Sequence, residues 1–488
     1  MAVFNVNLRA PRAPFEHYWE KCVGSCHGPT ALREDYRVQL RKCRNELGFQ
    51  YVRFHGILDD SMSVCLRDYR SGALYYNFTL IDSIFDFLLS IGMKPFIELS
   101  FMPSALASTG KELFTYRGNI SIPRSYAEWD ALIEKLTAHL VDRYGLDEVR
   151  RWFFEVWNEP NLAYFYEGTQ ADYFELYDHT ARAIKGVDAG LRVGGPATAI
   201  NAWIPEMIRH CEDAGVPLDF ISTHHYPTDD PLWNTDMSLE DYFAKLQSGD
   251  PELAKTANTH RRGVLTMMLK KARQEAGAYP LYYTEWNTSA NDMDLRHDVP
   301  YSAAFVAKAL IDNAGLVDVY SFWTFSDIFE ENGQRPGEFH GGFGMLTLHG
   351  IPKPVYRTFQ LMHSLGEERL ATQPEQGTVG LVATEERGVV SALAYNHDVL
   401  EHPPVAEDVT LKLEGAAISR AEILRIDDTH ANAYPLWVEM GSPDYPTDEQ
   451  LQRLIAQSAV IPEALEVKAG EVSFRLPPNG VALVRLYT

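Results

Sequence analysis

Eight strand-like stretches alternate with helix-like ones between about residue 20 and residue 325, which predicts a (β/α)8 barrel. After about Pro354 the rhythm changes to short alternating segments separated by Gly, Pro and charged turns. That pattern predicts a C-terminal antiparallel β-sandwich. The competing α/β architecture, a doubly wound open sheet, usually carries a glycine-rich phosphate turn after its first strand. Cys22-Val-Gly-Ser-Cys-His-Gly28 is a poor example of one. The 488 residues suffice for one large and one smaller domain. We place the barrel at 9–350 and the accessory sandwich at 351–488. The alternating segment 1–8 is expected to join the sandwich.

Taken in order, the first strand is expected at 21–25, followed by a charged helix at 31–47 that Gly48 stops. The second strand falls at 51–55, with a helix over 78–91, and the third at 95–99. A helix over 125–144 opens on Ser125 with Glu128 three residues on, a capping box, and Gly145 closes it. The fourth strand, 152–157, reads Trp-Phe-Phe-Glu-Val-Trp, apolar apart from Glu155, as a strand buried on both faces should be. It breaks at Asn158-Glu159-Pro160, because Pro160 removes a backbone donor and restricts Glu159. Helices over 170–185, 202–214, 262–276 and 301–313 then alternate with strands at 192–195, 220–224, 281–284 and 319–323. Three connections, 101–124, 226–260 and 326–350, are too long for simple links. All follow strand ends, where loops wall a pocket. The sandwich strands are expected at 377–384, 388–395, 408–413, 420–426, 472–476 and 480–487, each half solvated.

The formal charge is 44 − 67 = −23 and the pI is about 5.1. Nucleic acid and polyanionic substrates both want a basic field, so this excludes them. Five cysteines, an odd number without a Cys-x2-Cys pair, read as reduced thiols. The N-terminus lacks a basic stretch followed by an apolar core, and no apolar run is long enough to cross a bilayer. The expectation is a cytoplasmic protein with no membrane partner.

In a parallel α/β protein, ligands bind at the C-terminal ends of the strands. Glu159 stands at the end of the fourth strand. Glu285, in Thr284-Glu-Trp-Asn287, stands at the end of the seventh. Those two ends face each other across a barrel mouth. Two carboxylates can then flank one glycosidic bond, as retaining glycosidases require. We assign Glu159 as acid/base and Glu285 as nucleophile; an ionised Glu285 would hold Glu159 protonated. Arg53 and His55 flank Phe54 and point to one side. A buried arginine needs a carboxylate, and Glu285 is the obvious partner. Asn158 offers a donor to a ring hydroxyl. Tyr226 is placed to donate to Glu285, and Trp323 to floor a sugar. Glu330 and Glu331 suit ring hydroxyls or, equally, a solvated acidic loop. Adjacent residues on a strand point oppositely, so His224 and His225 do not share a ligand direction. No metal and no cofactor are expected.

The sequence resembles glycoside hydrolase family 39, the β-xylosidases and α-L-iduronidases, and is nearer the bacterial β-xylosidases. The resemblance is carried by residues 15–27 and 47–58, Trp157-Asn-Glu-Pro-Asn161, Thr223-His-His-Tyr226, Thr284-Glu-Trp-Asn287 and residues 320–331. It implies a barrel with a β-sandwich accessory domain, retention of configuration and attack at a non-reducing end. It places acid/base on Glu159 and nucleophile on Glu285, and implies sugar contacts from His55, Asn158, His225, Trp323 and Glu330. Iduronate would need a cation beside its carboxylate. After His225 the chain offers Tyr226 and Pro227, and Arg335 is the nearby cation. Xylose, bare at C5, fits better, with Phe101, Phe114, Tyr116 and Phe339 as candidates to crowd out larger sugars. The expected partner is a xylo-oligosaccharide or aryl xyloside. Another exo-β-glycosidase, on arabinosides or glucosides, and a non-catalytic carbohydrate-binding barrel are the alternatives. The sandwich is open to two roles, a homo-oligomer interface or a brace for the barrel.

Overall fold

In the computed structural model, which describes residues 1–230, 241, 242, 245, 248 and 260–488, eight parallel strands close into a barrel. They are β1 (Cys22–His27), β2 (Tyr51–His55), β3 (Lys94–Leu99), β4 (Phe153–Val156), β5 (Arg192–Thr198), β6 (Phe220–His224), β7 (Leu281–Trp286) and β8 (Val319–Phe322). Each pairs with the next, and β8 with β1. Helices α1 (Glu34–Leu47), α2 (Thr79–Ser90), α3 (Tyr126–Tyr144), α4 (Gln170–Val187), α5 (Ile204–Ala214), α6 (Val264–Ala276), α7 (Pro300–Asp312) and α8 (Pro354–His363) follow the strands in turn. The long connection expected over 226–260 lies mostly outside the described residues.

Local chemistry explains the helix ends. Gly48 closes α1 in the left-handed conformation, φ 80°, and its N–H bonds to the carbonyl of Arg44. Only half of the expected box opens α3. Ser125 accepts from the Glu128 amide, but the Glu128 carboxylate turns to Arg67, 2.8 Å away. Helix α8 lies beyond the expected boundary at 350. It packs against α7 and α1 and completes the barrel before the chain enters the sandwich.

The barrel interior is layered because strand side chains alternate. Phe96, Phe153, Phe220 and Tyr282, with Cys22 and Val319, plug its N-terminal end. One step of two residues along the same strands brings Glu98, Glu155, Ser222 and Thr284 inward, and Arg53 two residues after Tyr51. A ring of apolar side chains therefore supports a polar layer, and the mouth lies above that.

The C-terminal region forms a seven-stranded and a four-stranded sheet. The N-terminal strand Ala2–Asn7 joins the smaller one, pairing in parallel with Glu407–Glu414. The expected half-solvated alternation fails in the larger sheet. Val382, Leu393, Leu424 and Leu483 face the barrel core, while Leu381, Ala392, Ile423 and Val484 face the small sheet. Strands covered on both sides lose their polar face, as in any middle layer.

Two helices absent from the sequence-based expectation, Tyr434–Glu439 and Asp448–Gln457, leave the sandwich between Arg420–Ile426 and Glu463–Leu465. They form a small core with Phe339 and Ile351 from the connection after β8. Phe339 packs against Tyr434 and Trp437, ring centroids 5.8 and 5.6 Å apart. It is therefore a clamp between the accessory region and that connection, and not a crowder of the pocket. Phe339→Ala should cost about 3–5 kcal/mol, read as a lower urea midpoint. A midpoint unchanged within error would remove this clamp.

Candidate active site

The chain leaves β4 through Trp157 and Glu159, both left-handed at φ 69° and 43°. Each costs about 1–2 kcal/mol in a non-glycine residue. Pro160 thus drives Glu159 out of the right-handed helical region, though not into the extended one. The turn is held by the Glu159 amide, which donates to the carbonyl of Ala197 on β5 (2.9 Å). On the far side, irregular register between β6 and β7 and between β7 and β8 turns Glu285 towards the mouth. A carboxylate oxygen of Glu159, one of Glu285 and a ring nitrogen of His224 all lie within 4.8 Å of one another.

Below them Arg53 is fully buried and saturated. Nε donates to Glu155 (2.6 Å), Nη1 to Glu285 (2.8 Å) and Nη2 to Asn158 Oδ1 (2.9 Å), with Glu98 3.0 Å from Nη2. Burial opposes its charge, but the three carboxylates outweigh that and keep the guanidinium protonated. His55 Nδ1 lies 2.6 Å from Glu98, and its Nε2 lies 3.6 Å from both Glu285 and Glu331. Burial again works against the cation; Glu98 and Glu285 reverse it, and the pKa rises. For Glu159 burial and the neighbouring carboxylates act together, against Arg53. Burial, then the Glu285 charge, then Asp229 raise its pKa well above the carboxylate range. Among the described residues the buried Asn158 Nδ2 has no hydrogen-bond partner.

The paired histidines separate as alternation demands, but His224 and not His225 faces the mouth. His224 Nδ1 meets Glu159 (2.9 Å) and Nε2 meets Thr284 Oγ1 (3.0 Å). His225 bonds to the Tyr320 hydroxyl (2.8 Å) and lies over the Tyr283 ring, centroids 4.0 Å apart, on the outer side of the barrel wall. The expectation of His225 at the sugar is corrected. Counting inward from Phe220 by twos reaches His224, so the signal was present. Tyr226 donates to Glu285 Oε2 (2.9 Å). Glu330 is also displaced from its expected place. It bonds to His27 (3.0 Å) and Arg33 (2.9 Å), while Glu331 lines the pocket. Burial lifts the Glu331 pKa to about 8.

The pocket holds about 500 Å³ and is walled by His55, Glu159, Tyr226, Glu285, Trp323 and Glu331, with Phe114, Phe165 and Phe343 around them. Of the other proposed crowders, Tyr116 stacks on His27 (3.9 Å) and Phe101 stands edge-on to Trp157. His17, Glu20 and His363 form a second cluster of close donor atoms. Its members already bond to one another, Glu20 with His17 at 2.6 Å and with His363 at 2.9 Å.

A family model described as glycosyl hydrolases family 39 matches residues 3–470. The chain belongs to glycosyl hydrolase family 39. It is 50% identical over 479 residues to a β-xylosidase of Caldicellulosiruptor saccharolyticus, covering 96% of this chain and 95% of that protein. It is 35% identical to a β-xylosidase of Geobacillus stearothermophilus, covering 100% of this chain and 95% of that protein. A solved family 39 β-xylosidase of Caulobacter crescentus superposes with a TM-score of 0.84 at 35% identity, each chain covered in full.

This family 39 chain is thus a glycoside hydrolase on a (β/α)8 barrel. The pocket residue Phe343 and the buried Glu98 and Glu155 beneath the pocket escaped sequence reasoning. Glu155 was the lone charge of β4 and Glu98 that of the expected strand 95–99, a usable signal. Phe343 carried none. It is delivered by a Gly-Gly-Phe-Gly segment that a buried Lys353 fixes, its Nζ 2.7 Å from both Asp298 and Asp327 and donating to the Gly342 carbonyl (2.9 Å). Among the described residues no helix is long and apolar enough to cross a membrane.

Proposed function

We propose that this chain is a retaining β-xylosidase that removes terminal β-D-xylose from the non-reducing ends of xylo-oligosaccharides and aryl xylosides. The observation that carries the reading is the approach of Glu159 and Glu285 within 4.8 Å across one pocket. Retaining pairs stand about 5–5.5 Å apart, whereas inverting pairs need about 6.5–9.5 Å to admit a water.

In the first step Glu285 attacks the anomeric carbon. Arg53 and Tyr226 each hold one of its oxygens, so the attacking carboxylate is oriented before the sugar arrives. Glu159, kept protonated by burial and by Glu285, gives its proton to the leaving oxygen. Esterification of Glu285 removes the neighbouring negative charge. Glu159 then ionises more easily and takes a proton from the water that releases xylose. Trp323 supplies an apolar face, and His55, Glu331 and the free Asn158 Nδ2 supply hydroxyl contacts.

The charge inventory supports a neutral sugar. The Arg53 guanidinium is committed to carboxylates, and Arg335 bonds to Asp292 (2.9 Å). A uronate would instead meet Asp292 and the buried Asp229 and Glu331, where burial already lifts the pKa of those two acids to about 7 and about 8 and so disfavours a further carboxylate. Similarity to two bacterial β-xylosidases supports xylose over other neutral sugars. All five cysteines are buried and unbridged, which supports a reducing, cytoplasmic setting.

The test is a hydrolysis panel of aryl β-xyloside, β-glucoside and α-arabinoside, with NMR of the first-formed sugar. We expect β-xyloside to be preferred and β-xylose to appear first. α-Xylose as the first product would defeat retention. A preference for another glycoside would defeat the substrate assignment.

A further inference from the structure

The hydrogen bonds behind Glu159 form a chain with a direction. Glu155 Oε2 accepts from Arg53 Nε at 2.6 Å; burial raises the Glu155 pKa and the Arg53 charge counters it, leaving Glu155 the carboxylate of this ion pair. Its other oxygen therefore accepts, and the Thr284 hydroxyl donates to it at 2.8 Å. A hydroxyl has one hydrogen. The next contact of Thr284 Oγ1, at 3.0 Å, must then come from an N–H on His224 Nε2. His224 is fully buried; burial, then the charges of Arg53 and His55 and the neighbouring His225, keep it neutral, although Glu159 and Glu285 also face its Nδ1, at 2.9 and 3.7 Å. A neutral imidazole with its hydrogen on Nε2 bears a lone pair on Nδ1. Nδ1 lies 2.9 Å from Glu159 Oε1, so that contact needs a hydrogen on the carboxyl.

We propose that Thr284 and His224 are positioning residues that set the charge state of the acid. The one-way chain from Glu159 through His224 and Thr284 to Glu155 holds the proton on Glu159 in the resting enzyme. This rests on the reading of Glu159 as acid/base. The other groups facing Glu159 are Glu285 from β7, Asp229 after β6, Glu331 after β8 and Arg53 from β2. The three carboxylates favour the protonated form and Arg53 opposes it; none fixes where the hydrogen points. The chain does so through geometry. When substrate binds, the O–H swings from Nδ1 to the glycosidic oxygen. The carboxylate left behind faces a lone pair, which favours recovery of a proton from the incoming water.

The test is the pH dependence of kcat/KM on an aryl xyloside with a poor leaving group. Its basic limb reports the acid of the free enzyme. In Thr284→Val, which keeps the side-chain shape, Nε2–H loses its acceptor. A buried N–H without an acceptor is unfavourable, so the imidazole moves its hydrogen to Nδ1. There it donates to Glu159 and stabilises the anion. The basic limb should move down by about one pH unit, with the acidic limb unchanged, and Thr284→Ser should restore it. A basic limb that stays put or moves up overturns the proposal. Should the valine variant fail to fold, ¹⁵N shifts of His224 in the wild type decide: the Nε2–H form supports the chain and the Nδ1–H form overturns it. An unmoved limb alongside a normal leaving-group response in Glu159→Ala sinks this inference alone. Loss of that response sinks the acid assignment itself.

Discussion

Glu285→Ala should abolish turnover of aryl β-xyloside, with kcat falling by about 10⁵-fold or more, as when a covalent nucleophile is removed elsewhere. The size follows from the site. Glu285 is the carboxylate that Arg53, Tyr226 and His55 all face, at 2.8, 2.9 and 3.6 Å. Glu331 also lines this pocket, but burial has lifted its pKa to about 8, leaving it largely protonated at neutral pH. The variant should still fold. Arg53 loses one acceptor but retains Glu98, Glu155 and Asn158, so the cost is that of a charged hydrogen bond, about 1.5–3 kcal/mol. Thermal unfolding measures that part and kinetics the other. Added azide should enter the vacated face and yield the α-azide. Residual turnover near the wild-type rate would remove Glu285 from the nucleophile's role.

Most of what positions this pair was legible in the chain. The six residues before Asn158 carry a single charge, and a strand buried on both sides must end where Pro160 breaks it. Glu285 repeats the logic three units later. Arg53 was assigned to Glu285 because an inward arginine has to meet a carboxylate, and the two lie 2.8 Å apart. What failed was of three kinds. The choice of His225 over His224 ignored a count by twos along β6. The choice of Glu330 over Glu331 could not be made by counting, because periodicity does not extend into an irregular connection. The half-solvated sandwich strands failed for a third reason. Burial of a sheet's second face depends on what is stacked there, and the barrel helix α7 that packs on the strands of Leu393 and Leu483 is not their neighbour in sequence. Helix Asp448–Gln457 was readable from its Thr447–Gln450 capping box. Its partner Phe339 was not, since only the folded chain brings them together.

Glu159→Ala should separate two substrates by their leaving groups. An aryl xyloside with an acidic phenol needs little protonation to leave, so its first step should survive. Xylobiose leaves as an alkoxide unless protonated and should lose about 10²–10⁴-fold in kcat/KM, the usual worth of a placed general acid. Release of the sugar from Glu285 also needs a base, so the aryl substrate should show a burst followed by a slow phase. Azide should rescue that phase and give the β-azide, because it approaches from the face that Glu159 vacated; the opposite anomer is expected from Glu285→Ala. The basic limb of kcat/KM gives an independent check. Burial and the Glu285 charge hold Glu159 protonated, so if Glu159 is the acid, activity should be carried by the protonated form and lost as pH rises through the raised pKa. Glu285→Gln removes the second cause and should lower the pKa of Glu159, as seen by NMR titration of the labelled carboxyl. Equal losses on the two substrates, or a Glu159 titration indifferent to Glu285, would mean that these carboxylates do not share an anomeric carbon.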